Sequence, residues 1–109
     1  MLVSLDKVLQ MAQDGNFAIP AFNVYNMETV MGAIKAAEET KAPIIMQIYP
    51  RLVKEGVAYY LAPSIVAAAK KASVPVVMHL DHGSSFDLAM KAYRAGYTSI
   101  MIEDRKSVV

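Results

Sequence analysis

The chain has 109 residues, 55% of them hydrophobic and 19% charged, with a formal net charge of +1. That length admits one globular domain, and the high apolar fraction with balanced charge excludes a disordered chain. No basic run is present to neutralise phosphates, which argues against a nucleic-acid partner, and the lack of cysteine rules out a disulfide framework and a thiolate metal site.

Ser4 can N-cap a first helix through about Gln13, with Gly15 just past its end. A first apolar run follows, Phe17-Ala-Ile-Pro-Ala-Phe22. Met27, Val30, Met31, Ile34 and Ala37 then keep the i, i+3, i+4, i+7 spacing of an amphipathic helix, with Lys35, Glu38, Glu39 and Lys41 on its wet face. The second apolar run is Pro43 to Ile48. Tyr49 to Tyr60 is the least periodic stretch and reads as a loop with a short helical turn. Pro63 fits the first turn of a helix through Ile65, Val66, Ala69 and Ala72. The third run is Val74 to Leu80. Ser84-Ser85-Phe-Asp87 resembles a capping box for a helix with Phe86, Ala89, Met90 and Tyr93 on one face, ended by Gly96. Tyr97 to Ile102 is the fourth run.

None of the four runs alternates cleanly. Near-continuous apolar runs with β-branched residues are the pattern of parallel strands covered on both faces. The connections are long enough for parallel crossovers, so the chain reads as a helix followed by β-α-β-α-β-α-β, with strands in the order 1-2-3-4. The start lacks a basic segment followed by an apolar one, so no signal peptide is expected. No uncharged apolar stretch approaches the roughly 18 residues of a membrane span, so no membrane partner is expected either. A cysteine-free chain of this kind suits the cytoplasm.

Each predicted strand ends in polar side chains: Asn23, Gln47 followed by Tyr49, His79-Leu-Asp81-His82, and Glu103-Asp104. In parallel α/β folds ligands bind outside the carboxyl ends of the strands. A polar residue at one strand end is often only the start of a loop. A carboxylate beside two imidazoles at the mouth of an apolar strand points to chemistry, because these groups are the common proton carriers and zinc ligands. Strict alternation would put His79 and Asp81 on one face and His82 on the other, unless the chain turns near Asp81. Gly83 and the two serines suggest that it turns.

At His79-Leu-Asp81-His82-Gly83-Ser-Ser-Phe86, with Ala21-Phe-Asn23-Val upstream and Ser99-Ile-Met-Ile102 downstream, the chain resembles the zinc-dependent class II ketose-bisphosphate aldolases. The resemblance implies the first four strands of a TIM (β/α)8 barrel. Residues 1–109 would then be a single partial barrel domain, the N-terminal half. It implies reversible cleavage of a fructose or tagatose 1,6-bisphosphate to dihydroxyacetone phosphate and an aldehyde. In those roles His82 would ligate Zn2+, Asp81 would move the proton of the C4 hydroxyl, and Asn23 and Gln47 would line the sugar-phosphate pocket. Tyr49 departs from the family pattern, which has Ser or Thr there. So does Glu103-Asp104-Arg105-Lys106, where the family continues Asp-Gly-Ser-His.

The chain as it stands holds few of the residues such a site needs, so weak zinc binding and no measurable cleavage are expected of it alone. Two other readings stay open. One is a non-catalytic, self-associating half-barrel, because inward strand residues such as Ile45, Val77 and Ile100 would have no second half-barrel to cover them. The other is an open-sheet α/β domain that binds a small anion at its strand ends.

Overall fold

The computed structural model describes residues 1–102. Its elements are α1 (Leu5–Gly15), β1 (Ala21–Asn23), α2 (Met27–Thr40), β2 (Ile44–Ile48), α3 (Pro50–Lys54), α4 (Val57–Lys71), β3 (Val76–Gly83), α5 (Phe86–Ala95) and β4 (Ser99–Ile102). The four strands form one sheet in the order β1-β2-β3-β4, and every pair is parallel. A doubly wound sheet would place β1 between other strands, so the open-sheet alternative falls.

One face of the sheet packs on the helices. Ile44, Met46 and Ile48 of β2 and Val76, Met78 and Leu80 of β3 meet Val30 and Ile34 of α2 and Leu61, Ile65 and Ala69 of α4. The opposite face is less covered. In β2 the buried residues alternate with half-buried Ile45 and Gln47. The expectation of strands covered on both faces therefore holds fully on the helix side and only in part on the other.

Val77, expected to lie open, is fully buried. The N-terminal segment reaches the same end of β3: Leu2 forms a parallel bridge with Val76, and the Val3 amide donates to the Val76 carbonyl at 2.9 Å. Ile100, expected to face inward, pairs in register with Leu80 and packs against the helix-side core. Ile45 stays half-buried on the less covered face.

Several local expectations shift. The first strand is shorter than its apolar run. Pro20 can offer only a carbonyl, which accepts from Ile45, and the strand begins after it. α2 opens on a reciprocal box that was not foreseen. Asn26 accepts from the Thr29 amide, and Thr29 Oγ1 accepts from the Asn26 amide. The stretch from Tyr49 to Tyr60 is mostly helical. Pro50 starts α3, and Gly56, at φ 82°, lets the chain turn directly into α4. Pro63 consequently lies well inside α4 rather than in its first turn.

The cap of α5 is Ser85, which accepts from the Leu88 amide, not Ser84 with Asp87. Its buried face is Leu88, Ala89 and Ala92. Phe86 and Tyr93 are exposed. No helix among the described residues is long and apolar enough to cross a membrane.

Candidate active site

The in-register parallel pairing carries one row of polar side chains across the whole sheet. Asn23 of β1 pairs with Gln47 of β2, Gln47 with His79 of β3, and His79 with Ser99 of β4. Because side chains alternate faces with a period of two, this row lies on the face opposite Met46, Met78 and the helices. Asp81 lies two residues beyond His79, toward the carboxyl end of β3.

Side-chain bonds tie the row together. Gln47 Nε2 donates to Asn23 Oδ1 at 3.1 Å and reaches Asp81 Oδ2 at 3.5 Å, the outer limit of a hydrogen bond. His79 Nδ1 and Ser99 Oγ are 2.7 Å apart. Ser99 had no assigned role in the sequence reading. Its link to His79 follows from register, which no local pattern discloses.

The turn expected near Asp81 occurs inside the strand. The β3–β4 register shifts between Leu80 and Gly83, and His82 adopts a left-handed backbone at φ 51°. Such a bulge re-aims side chains, and histidine is among the residues that tolerate this region. As a result His82 Nε2 lies 3.6 Å from Asp81 Oδ2 rather than across the sheet. The carboxylate is 22% exposed and the imidazole 53%. The structure brings Asn23, Gln47, Asp81 and His82 to one end of the sheet. Glu103 and Asp104, the expected polar end of the fourth strand, lie outside the described residues.

Gly83 is held by a close approach. A Cβ there would stand 2.7 Å from the Met101 carbonyl oxygen. Gly83→Ala must push β4 away from β3 beside the bulge. The expected cost is about 2 kcal/mol, within the range for overpacking. Urea unfolding of the variant checks this, and an unchanged midpoint contradicts it.

Burial holds His79 below the ordinary imidazole value of 6.5, while the Asp81 carboxylate pulls it back up. The folded state therefore favours the neutral ring, and the unfolded chain binds more protons at and below that value. Stability from this group is present at neutral pH and is lost as the pH falls through and below the ordinary imidazole value of 6.5. Replacing it, as in His79→Gln, is expected to flatten that part of the stability–pH curve. Denaturant midpoints for both proteins across the range test this, and parallel curves contradict it.

The donor set falls short of a zinc site. A catalytic zinc takes about three protein ligands, and no group of three His, Cys, Asp or Glu suited to a metal occurs among the described residues. His82 and Asp81 are competent donors, but they do not fit the ion by themselves.

A family profile described as fructose-bisphosphate aldolase class-II matches residues 3–106. A fructose-bisphosphate aldolase of Thermus caldophilus is 42% identical over 94% of this chain and 33% of its own length. A 6-phospho-5-dehydro-2-deoxy-D-gluconate aldolase of Halalkalibacterium halodurans is 36% identical over 99% of this chain and 38% of its own. The crystal structure of the YdjI aldolase from Escherichia coli K12 superposes with a TM-score of 0.87 and 37% identity, over 93% of this chain and 40% of that one. The chain thus spans about a third of the length of these curated relatives.

Proposed function

The chain belongs to the class II fructose-bisphosphate aldolase family, and from that premise we propose that it supplies the proton-transfer and first metal-binding portion of an aldol-cleavage site for a phosphorylated keto sugar. The names of its relatives support that substrate class, since they include aldolases of fructose bisphosphate and of a phosphorylated dehydrodeoxygluconate. The observation that carries the reading is the Gln47 amide, which reaches both Asn23 and Asp81 at the carboxyl end of the sheet.

In this reading Asp81 takes the proton from the substrate C4 hydroxyl as the C3–C4 bond breaks. The bonding electrons pass toward the ketone of the dihydroxyacetone phosphate half, and the aldehyde leaves. A carboxylate within reach of the hydroxyl is suited to this exchange. The Gln47 amide, itself bonded to Asn23, steadies Asp81 from one side, and both amides offer polar contacts to the sugar hydroxyls. His82 would supply one ligand to a zinc ion whose other ligands come from outside residues 1–102, and the ion would there offset charge on the substrate's ketone oxygen. The less covered face of the sheet and the β4 edge, where Ile102 is 67% exposed, then meet further strands of a barrel, in the same polypeptide or in a second copy. The proposal places the protein in the cytoplasm, supported by its lack of cysteine.

A hybrid tests this. Residues 1–102 replace the matching segment of the Thermus caldophilus relative, so that the remaining two-thirds is restored. The hybrid is expected to cleave fructose 1,6-bisphosphate, and this chain alone is expected to show no measurable cleavage. A folded hybrid without activity on this substrate or on the phosphorylated dehydrodeoxygluconate contradicts the proposal.

A further inference from the structure

Two half-buried side chains on the less covered face of the sheet, His79 and Ser99, take no part in the proton transfer assigned to Asp81. They continue the row that Asn23 and Gln47 begin. His79 Nδ1 is engaged by Ser99 Oγ at 2.7 Å. The second ring nitrogen, Nε2, forms no hydrogen bond among the described residues. It is also accessible, because Tyr97 Oη is the one fully buried side-chain polar atom without a partner among those residues. The ring is thus held at one nitrogen and open at the other, and the bond at the first decides which carries the proton.

Asp81 follows two residues later on the same strand face, where Gln47 Nε2 reaches it from the row. Its charge acts on the His79 ring. A carboxylate nearby favours a proton on Nε2 over a lone pair, which would face a like charge. Ser99 Oγ then donates to Nδ1, and Nε2–H is a donor that no described residue accepts. We propose that His79 Nε2–H binds an oxygen of the keto sugar next to its C4 hydroxyl, with Ser99 as the positioning residue that holds the ring in that tautomer and direction. The inference rests on the aldol-cleavage reading, since it needs Asp81 at the C4 hydroxyl.

Two experiments test it, the first without activity. Nitrogen-15 spectra of the full chain labelled in histidine, assigned with His79→Gln, are expected to show His79 protonated at Nε2 and bare at Nδ1 in mildly alkaline solution. Ser99→Ala should mix the two tautomers. The opposite tautomer, or a spectrum indifferent to Ser99→Ala, overturns the proposal. The second experiment uses the hybrid. Glutamine can place an amide N–H near the Nε2 position, whereas asparagine reaches only the Nδ1 position. His79→Asn is expected to raise KM by about tenfold with kcat little changed, the worth of one neutral hydrogen bond to bound substrate. His79→Gln should stay within about threefold of the parent. A ring with only a structural role would give the reverse order, because asparagine keeps the link to Ser99. Folded hybrids in which His79→Asn performs as well as His79→Gln contradict the proposal alone. A folded parent hybrid that cleaves neither sugar phosphate contradicts the aldol-cleavage reading and this inference with it.

Discussion

Asp81→Asn, introduced into the hybrid, is expected to lower aldol cleavage by about a hundred- to ten-thousandfold, the usual contribution of a positioned general acid or base. The amide keeps the size of the carboxylate and can still meet Gln47, but it cannot accept the C4 hydroxyl proton. The loss should therefore fall mainly on kcat. Gln47→Ala should cost less, because it removes a 3.5 Å contact to Asp81 and a 3.1 Å contact to Asn23 without removing the proton acceptor. Steady-state kinetics of the three proteins check the order. Equal losses for both variants would mean that the site depends on its framework and not on Asp81 as the proton carrier.

Leu80→Ala is expected to destabilise the chain by about 3 kcal/mol, inside the range for emptying a fully buried leucine site. Leu80 has no exposed surface and lies in β3 directly before Asp81. It pairs with Ile48 on one side and Ile100 on the other, so its loss loosens three strands together. Against a total stability of about 5–15 kcal/mol for a domain, this is a large share. Phe86→Ala, at a residue 74% exposed, should stay within about 0.5 kcal/mol. Chemical unfolding of both variants tests the contrast, and a mild Leu80→Ala would mean that the helix-side core packs loosely.

The architecture was legible because the apolar runs are separated by crossover lengths that favour parallel neighbours in chain order. Asp81 and His82 stood out because a carboxylate and imidazoles ended an otherwise apolar run. Other features depended on contacts that sequence spacing does not carry. Val77 looked like an uncovered inward residue, yet it is fully buried beside the bridge that Leu2 makes to Val76. Pro63 looked like a helix start because proline favours the first turn. Gly56 instead lets α4 begin six residues earlier at Val57, and Pro63 is carried inside it. The link from His79 to Ser99 exists only through strand register. The left-handed turn at His82, which sets the 3.6 Å approach to Asp81, is set by a bulge against β4.

The proposed function requires this chain to carry one zinc ligand and the proton carrier of a site whose other metal ligands lie beyond residues 1–102. Zinc titration of the isolated chain, of the hybrid, and of the hybrid with His82→Ala tests it most directly. The hybrid is expected to bind one zinc tightly, with at least about a hundredfold loss of affinity in His82→Ala and only weak binding by the isolated chain, as ligand counting requires. A tight one-to-one site in the isolated chain, or a hybrid whose zinc affinity is indifferent to His82→Ala, would contradict the account.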